Sequence, residues 1–192
     1  MFKQLALLLV ITRSRSLVRR YFVVNGFDGA LTMLGIITGF YVSDRTNLSV
    51  VINSCFGAAI ALGMSGLTSA YMSETAERKK ELRELEQAML ENLNGSAHGQ
   101  ATRLLPFLIA AVNGLSPLVI SLIIISPIWA ATLSLELPFD ALECALILAL
   151  GILFLLGAFL GKISGTNWLW FGLRTLFIAT VTSALIYFLA LP

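Results

Sequence analysis

The chain has 192 residues, of which 57% are hydrophobic and only 12% charged, and its mean hydropathy is +0.86. A soluble domain spends about a quarter of its residues on Asp, Glu, Lys and Arg, and a disordered chain lacks this apolar content, so both classes are excluded. At roughly 20 apolar residues per bilayer crossing, the length holds about five spans and little else, and a net charge of +2 gives no reason to expect nucleic acid as a partner.

The opening stretch, Met1–Ile11, is apolar but lacks a small-residue cleavage site and runs into Arg13, Arg15, Arg19 and Arg20. Residues 1–20 therefore read as an interfacial segment, not a secretory signal. After it come runs free of charge, which locate the spans because one charged group at mid-bilayer costs about 2.5–3.5 kcal/mol. Thr46 to Ser73, Leu104 to Leu135, Cys144 to Gly161 and Thr175 to Pro192 carry no Asp, Glu, Lys or Arg, and a further run near 21–42 is broken only by Asp28. Spans are expected at 21–42, 48–73, 104–127, 140–161 and 168–190. The expected fold is an all-α integral membrane domain over 21–192, its second helix extended outside the bilayer.

On this topology twelve of the thirteen basic residues fall on one side and only Arg45 on the other. The positive-inside rule then puts the amino terminus in the cytoplasm and the carboxyl terminus outside. The connection Trp129–Glu143, acidic and without a basic residue, agrees.

Asp28 is the residue most in need of compensation, by a cation, a proton or a hydrogen-bond network. Its setting, Asn25-Gly26-Phe27-Asp28-Gly29, reads as a segment that interrupts the helix and turns carbonyls toward an ion, as in secondary transporters. The alternative is a protonated Asp bonded to a neighbouring helix. Span three echoes it: Val24-Asn25-Gly26 matches Val112-Asn113-Gly114, with Ser116 and Pro117 following. The echo suggests two parallel repeats with Asn113, Gly114 and Pro117 at a second break, or else two unrelated packing kinks.

In span two, Met64 falls near the level of Asp28, and a thioether beside a carboxylate would favour a borderline-soft transition metal. It can equally be a packing residue. Beyond the bilayer the second helix continues to about Glu91, within a cytoplasmic region of about 74–103, and Glu74, Glu77, Glu81, Glu84 and Glu91 share one sector of it. Such a stripe collects cations unless it is a solvated face with pairs such as Glu74–Arg78 and Lys80–Glu84. His98 reads as a loop residue. Gly35-x-x-x-Gly39 and Gly157-x-x-x-Gly161 offer close helix contacts, within a protomer or between two copies. Cys55 and Cys144 read as small buried hydrophobes. No nucleotide-binding loop, catalytic-triad spacing or zinc motif is present, so neither an enzyme nor a tightly bound cofactor is expected.

Taken together, the five-span plan, the Asp-Gly of span one, Met-Ser-Gly of span two with its Glu-rich continuation, Asn-Gly-x-x-Pro-Leu of span three, and Gly-Ala-Phe-Leu-Gly-Lys followed by Phe-Gly-Leu-Arg resemble the vacuolar iron transporter family over about residues 20–190. The resemblance implies a homodimer that moves Fe²⁺, and by extension Mn²⁺, out of the cytoplasm in exchange for protons. It implies that Asp28 and Met64 line the path and that Glu74, Glu77, Glu81 and Glu84 gather metal. It also implies a multi-pass protein of the plasma membrane in a prokaryote, or of a vacuolar-type membrane in a eukaryote. One departure stands out: members of that family insert a three-helix metal-binding unit between spans two and three, where this chain has only about Glu74 to Arg103. Two other readings remain open. One is a non-transporting scaffold docking a partner through the 74–91 helix, with Leu82, Leu85 and Met89 as its apolar face; the other is a proton-coupled carrier for another small solute.

Overall fold

The computed structural model describes residues 15–43, 47–93 and 95–190. Its elements are all helical: α1 (Arg15–Val42), α2 (Leu48–Met89), α3 (Ala97–Thr132), α4 (Ala141–Ile163) and α5 (Trp168–Ala190). Each of the five is long and apolar enough to cross a membrane. The expected 1–20 segment lies mainly outside the described residues, and its last part, from Arg15, belongs to α1.

Four of the helices start at side chains that accept from otherwise orphaned amides. Asn47 accepts from the Ser49 N–H at 3.1 Å, Ser96 from Gly99 at 3.3 Å, Asp140 from Leu142 at 3.0 Å and Asn167 from Leu169 at 3.0 Å. α4 ends at Gly165, whose φ of +69° reverses the chain in the left-handed region that glycine enters without strain. α2 runs on to Met89, as its Glu-, Lys- and Leu-rich composition requires. α3 begins seven residues before the expected span, which places His98 in its first turn and not in a loop.

The interruptions expected at Asn25, Gly26 and Gly29 and at Asn113, Gly114 and Pro117 are absent. α1 and α3 are helical throughout those segments. In apolar surroundings a loosened turn leaves amides and carbonyls without partners, so the helix persists and the small residues serve close approach instead. Even the prolines of α3 are accommodated. Pro127 withholds the N–H that would bond the Ile123 carbonyl, and the Ser126 hydroxyl donates to that oxygen at 2.7 Å.

By its internal contacts the chain divides into two compact units. One comprises the described residues of Met1–Asn25 and Gly63–Ser116, the other those of Gly26–Leu62 and Pro117–Pro192. In the first, Ala101, Leu105 and Ile109 are buried against Leu17, Val18 and Tyr21. In the second, the core is built from Met33, Leu34 and Ile37 of α1, Val51 and Cys55 of α2, Ile124, Ile125 and Ile128 of α3, and Leu142 and Leu153 of α4. The Gly157/Gly161 pair is an intramolecular contact: a β-carbon at Gly157 would lie 2.4 Å from Thr175 Oγ1, and one at Gly161 2.8 Å from the Trp168 Cα. Gly39, by contrast, faces open space.

Candidate functional site

The α1 residues that point into the second unit, Gly26, Gly29, Ala30, Met33, Leu34 and Ile37, recur at helical spacing. Asp28 falls between two of them and is turned outward. It is exposed in the single chain, and among the described residues it has no hydrogen-bond or ion-pair partner. Among the described residues the alternative of a carboxyl bonded to a neighbouring helix is therefore not realised. Gly29 does pack closely: a β-carbon there would lie 2.7 Å from the Pro117 carbonyl oxygen and 2.8 Å from the Pro117 Cα. That is the reason for glycine beside Asp28.

In the first unit the two echoing asparagines meet. Asn25 Nδ2 donates to Asn113 Oδ1 and also to the Tyr21 carbonyl at 2.9 Å. Asn113, itself buried, donates through Nδ2 to the Gly66 carbonyl at 2.6 Å. Ser116 donates to the Phe22 carbonyl at 2.6 Å, and Tyr21 donates to Glu74 Oε1 at 3.2 Å. These bonds tie α1, α2 and α3 together with buried amide dipoles, which hold geometry strongly where water does not compete. Asn25 and Asn113 thus act as cross-braces here, with the Asn25 side-chain nitrogen and both polar side-chain atoms of Asn113 engaged.

Met64 lies on α2 within the first unit, 56% exposed. The glycines around it face the other way. A β-carbon on Gly114 would lie 2.6 Å from the Gly63 carbonyl oxygen, and one on Gly66 would lie 2.9 Å from that of Asn113. Gly-Met-Ser-Gly therefore has two jobs on two faces: close backbone contact with α3 and outward presentation of the thioether.

The glutamate stripe does not act as one surface. Glu74 is buried, and Arg78 lies 3.7 Å from it and 2.8 Å from Glu81. Glu84 is paired with Lys80 at 3.9 Å, while Glu77 and Glu91 are exposed. Among the described residues no group of three or more His, Cys, Asp or Glu side chains is placed to hold a metal ion. Asp28 belongs to no such group. Leu82 and Leu85, the apolar face considered for docking a partner, line a groove with Ala101 and Thr102 of α3.

The sequence reading gave no role to Tyr21, nor to Ser116 beyond its place in the echo. Ser116 had a signal available: the echo has an offset of 88 residues, and this offset relates Asn25 to Asn113, Asp28 to Ser116, Gly29 to Pro117 and also Ala61-Leu62-Gly63 to Ala149-Leu150-Gly151. Two of these related pairs, Asn25–Asn113 and Gly29–Pro117, are in direct contact.

The fold and site together define an all-helical protein with five membrane-length helices and one outward-facing carboxylate within the apolar part of α1. No family model matches the chain. It is similar to a protein of Methanocaldococcus jannaschii described as uncharacterized, with 29% identity over 151 residues, spanning 77% of this chain and 75% of that one.

Proposed function

We propose that the protein is a divalent transition-metal transporter that exports Fe²⁺, and Mn²⁺ with it, from the cytoplasm in exchange for protons, working as a homodimer. The observation that carries this reading is Asp28: an exposed carboxylate, without a partner among the described residues, inside a helix otherwise apolar for membrane length. Against lipid such a group costs about 2.5–3.5 kcal/mol, so the outward face of α1 is one that something polar must cover. A second protomer does so, with a hydrated path between the two copies. Asp28 takes metal when ionised and releases it on protonation. Exposed Met64 supplies a soft ligand that discriminates against Mg²⁺ and Ca²⁺. Glu77 of α2, exposed and without a partner among the described residues, adds attraction at the cytoplasmic mouth. The orientation is that given by the basic residues, amino terminus inside.

Proteoliposomes carrying a metal-quenched dye and an imposed proton gradient test this reading. Wild-type protein is expected to pass Fe²⁺ only with the gradient, and Asp28→Ala to lose at least about tenfold of that flux, the effect of about 1.4 kcal/mol at the barrier. Undiminished flux in Asp28→Ala removes the role given to Asp28.

A further inference from the structure

Tyr71, Thr75, Lys79 and Leu82 follow one another along α2 at intervals of four, four and three residues, which stacks them into one stripe. On the first turns of α3, Gly99 and Arg103 lie four residues apart with Thr102 beside them, and these residues and the α2 stripe line one open pocket of about 420 Å³. The charge of this pocket is one-sided. Lys79 and Arg103 reach it and no Asp or Glu lines it. Among the described residues neither cation is in an ion pair, because Glu74 and Glu81 are drawn to Arg78 and Glu84 to Lys80. The Thr75 hydroxyl is buried and has no hydrogen-bond partner among the described residues.

The position of the pocket along the sequence is equally telling. The uncharged run of α2 ends at Ser73 and that of α3 starts at Leu104, so the pocket opens where apolar helix gives way to charged helix. Both sets of residues continue into the apolar side as exposed hydrophobic residues: Leu67, one turn from Tyr71 and 40% exposed, and Phe107, one turn from Arg103 and 71% exposed. Paired cations, a spare hydroxyl and an interfacial Tyr at the head of an apolar track complement a lipid phosphate and its acyl chains. A metal cation would be repelled there.

We propose that this pocket binds an anionic phospholipid, its phosphate held by Lys79, Arg103 and the Thr75 hydroxyl and its acyl chain lying along Leu67 and Phe107. The site is separate from Asp28 and does not depend on the transport reading. The test is a titration of the full-length protein in neutral detergent with phosphatidylglycerol and, separately, phosphatidylcholine, read by thermal unfolding and by native mass spectrometry. Wild-type protein is expected to retain phosphatidylglycerol, with a raised Tm, and not phosphatidylcholine. The Lys79→Gln/Arg103→Gln variant is expected to bind phosphatidylglycerol about thirtyfold more weakly, and Lys79→Gln alone, an exposed position that serves if the double variant does not fold, about fivefold. Equal retention of the two lipids, or undiminished phosphatidylglycerol binding by the variants, overturns the proposal. Inorganic phosphate that reproduces the full Tm shift overturns the lipid assignment in favour of a free-anion site.

Discussion

Asn113 and Gly114 stand side by side on α3 and do opposite things to the same neighbour: one reaches the Gly66 carbonyl with its amide, the other lets the Gly63 carbonyl approach by having no side chain. Gly114→Ala drives a β-carbon to within 2.6 Å of that oxygen and 2.8 Å of Leu67 Cβ. It is expected to destabilise by about 1–3 kcal/mol, since the atoms met include backbone that cannot swing aside. Gly151→Ala, at the position that the 88-residue offset relates to Gly63, meets nothing within 4 Å and is expected to stabilise by about 0.5–1 kcal/mol through helix propensity. Thermal unfolding of the two variants in detergent separates the two roles. Asn-Gly was legible in the sequence as a special pair but was misread as a break, because in water that pair marks a turn. In apolar surroundings the unmade backbone bonds would dominate, and the same residues become contact points. Asp28 was legible because a lone acid in an apolar run is conspicuous. That it points outward depends on which face of α1 packs, and its near-uniform apolar composition conceals that face.

At the scale of elements, α2 is the most informative, since its length and continuation were written in composition while its electrostatics were not. Five glutamates on one sector read as a cation-collecting stripe, yet their effect depends on how deeply each is set. Arg78 and Glu74 are mostly buried, with side chains 12% and 10% exposed, whereas Lys80 and Glu84 are 67% and 65% exposed. Arg78→Ala leaves the Glu74 carboxylate with Tyr21 as its one donor among the described residues and is expected to cost about 1–3 kcal/mol. Lys80→Ala removes a solvated pair and is expected to cost no more than about 0.5 kcal/mol. Chemical or thermal unfolding monitored by far-ultraviolet circular dichroism, which reports helix loss directly, checks the contrast. The helix starts at Asn47, Asp140 and Asn167 were legible, within a residue of the expected span limits 48, 140 and 168. The early start of α3 was not, because Asn92–Gln100 is polar and Gly-containing, and the cap at Ser96 is what turns its second half helical.

For the whole molecule, the five membrane-length helices leave a carboxylate and a thioether, Asp28 and Met64, on outward surfaces, and the transport reading therefore requires a second copy. Thr32, one turn from Asp28 on α1, is half-buried. With Cys55 and Cys144 replaced by Ala, Thr32→Cys is expected to form a disulfide-linked dimer in oxidised native membranes, and a chain that stays monomeric would leave Asp28 facing lipid. The 88-residue offset also relates positions of α1–α2 to positions of α3–α4 in sequence. In the second pair Ser116 stands at the place of Asp28 and Ile152 at that of Met64, so neither the carboxylate nor the thioether recurs at the related positions. The central claim is that the Asp28 carboxylate is an ion ligand, and anomalous diffraction from crystals soaked in Mn²⁺ tests it most directly. The account predicts an anomalous peak beside the Asp28 carboxylate that disappears in Asp28→Ala crystals. A wild-type structure with no metal there, and with Asp28 against lipid or bonded to a protein cation, would contradict it.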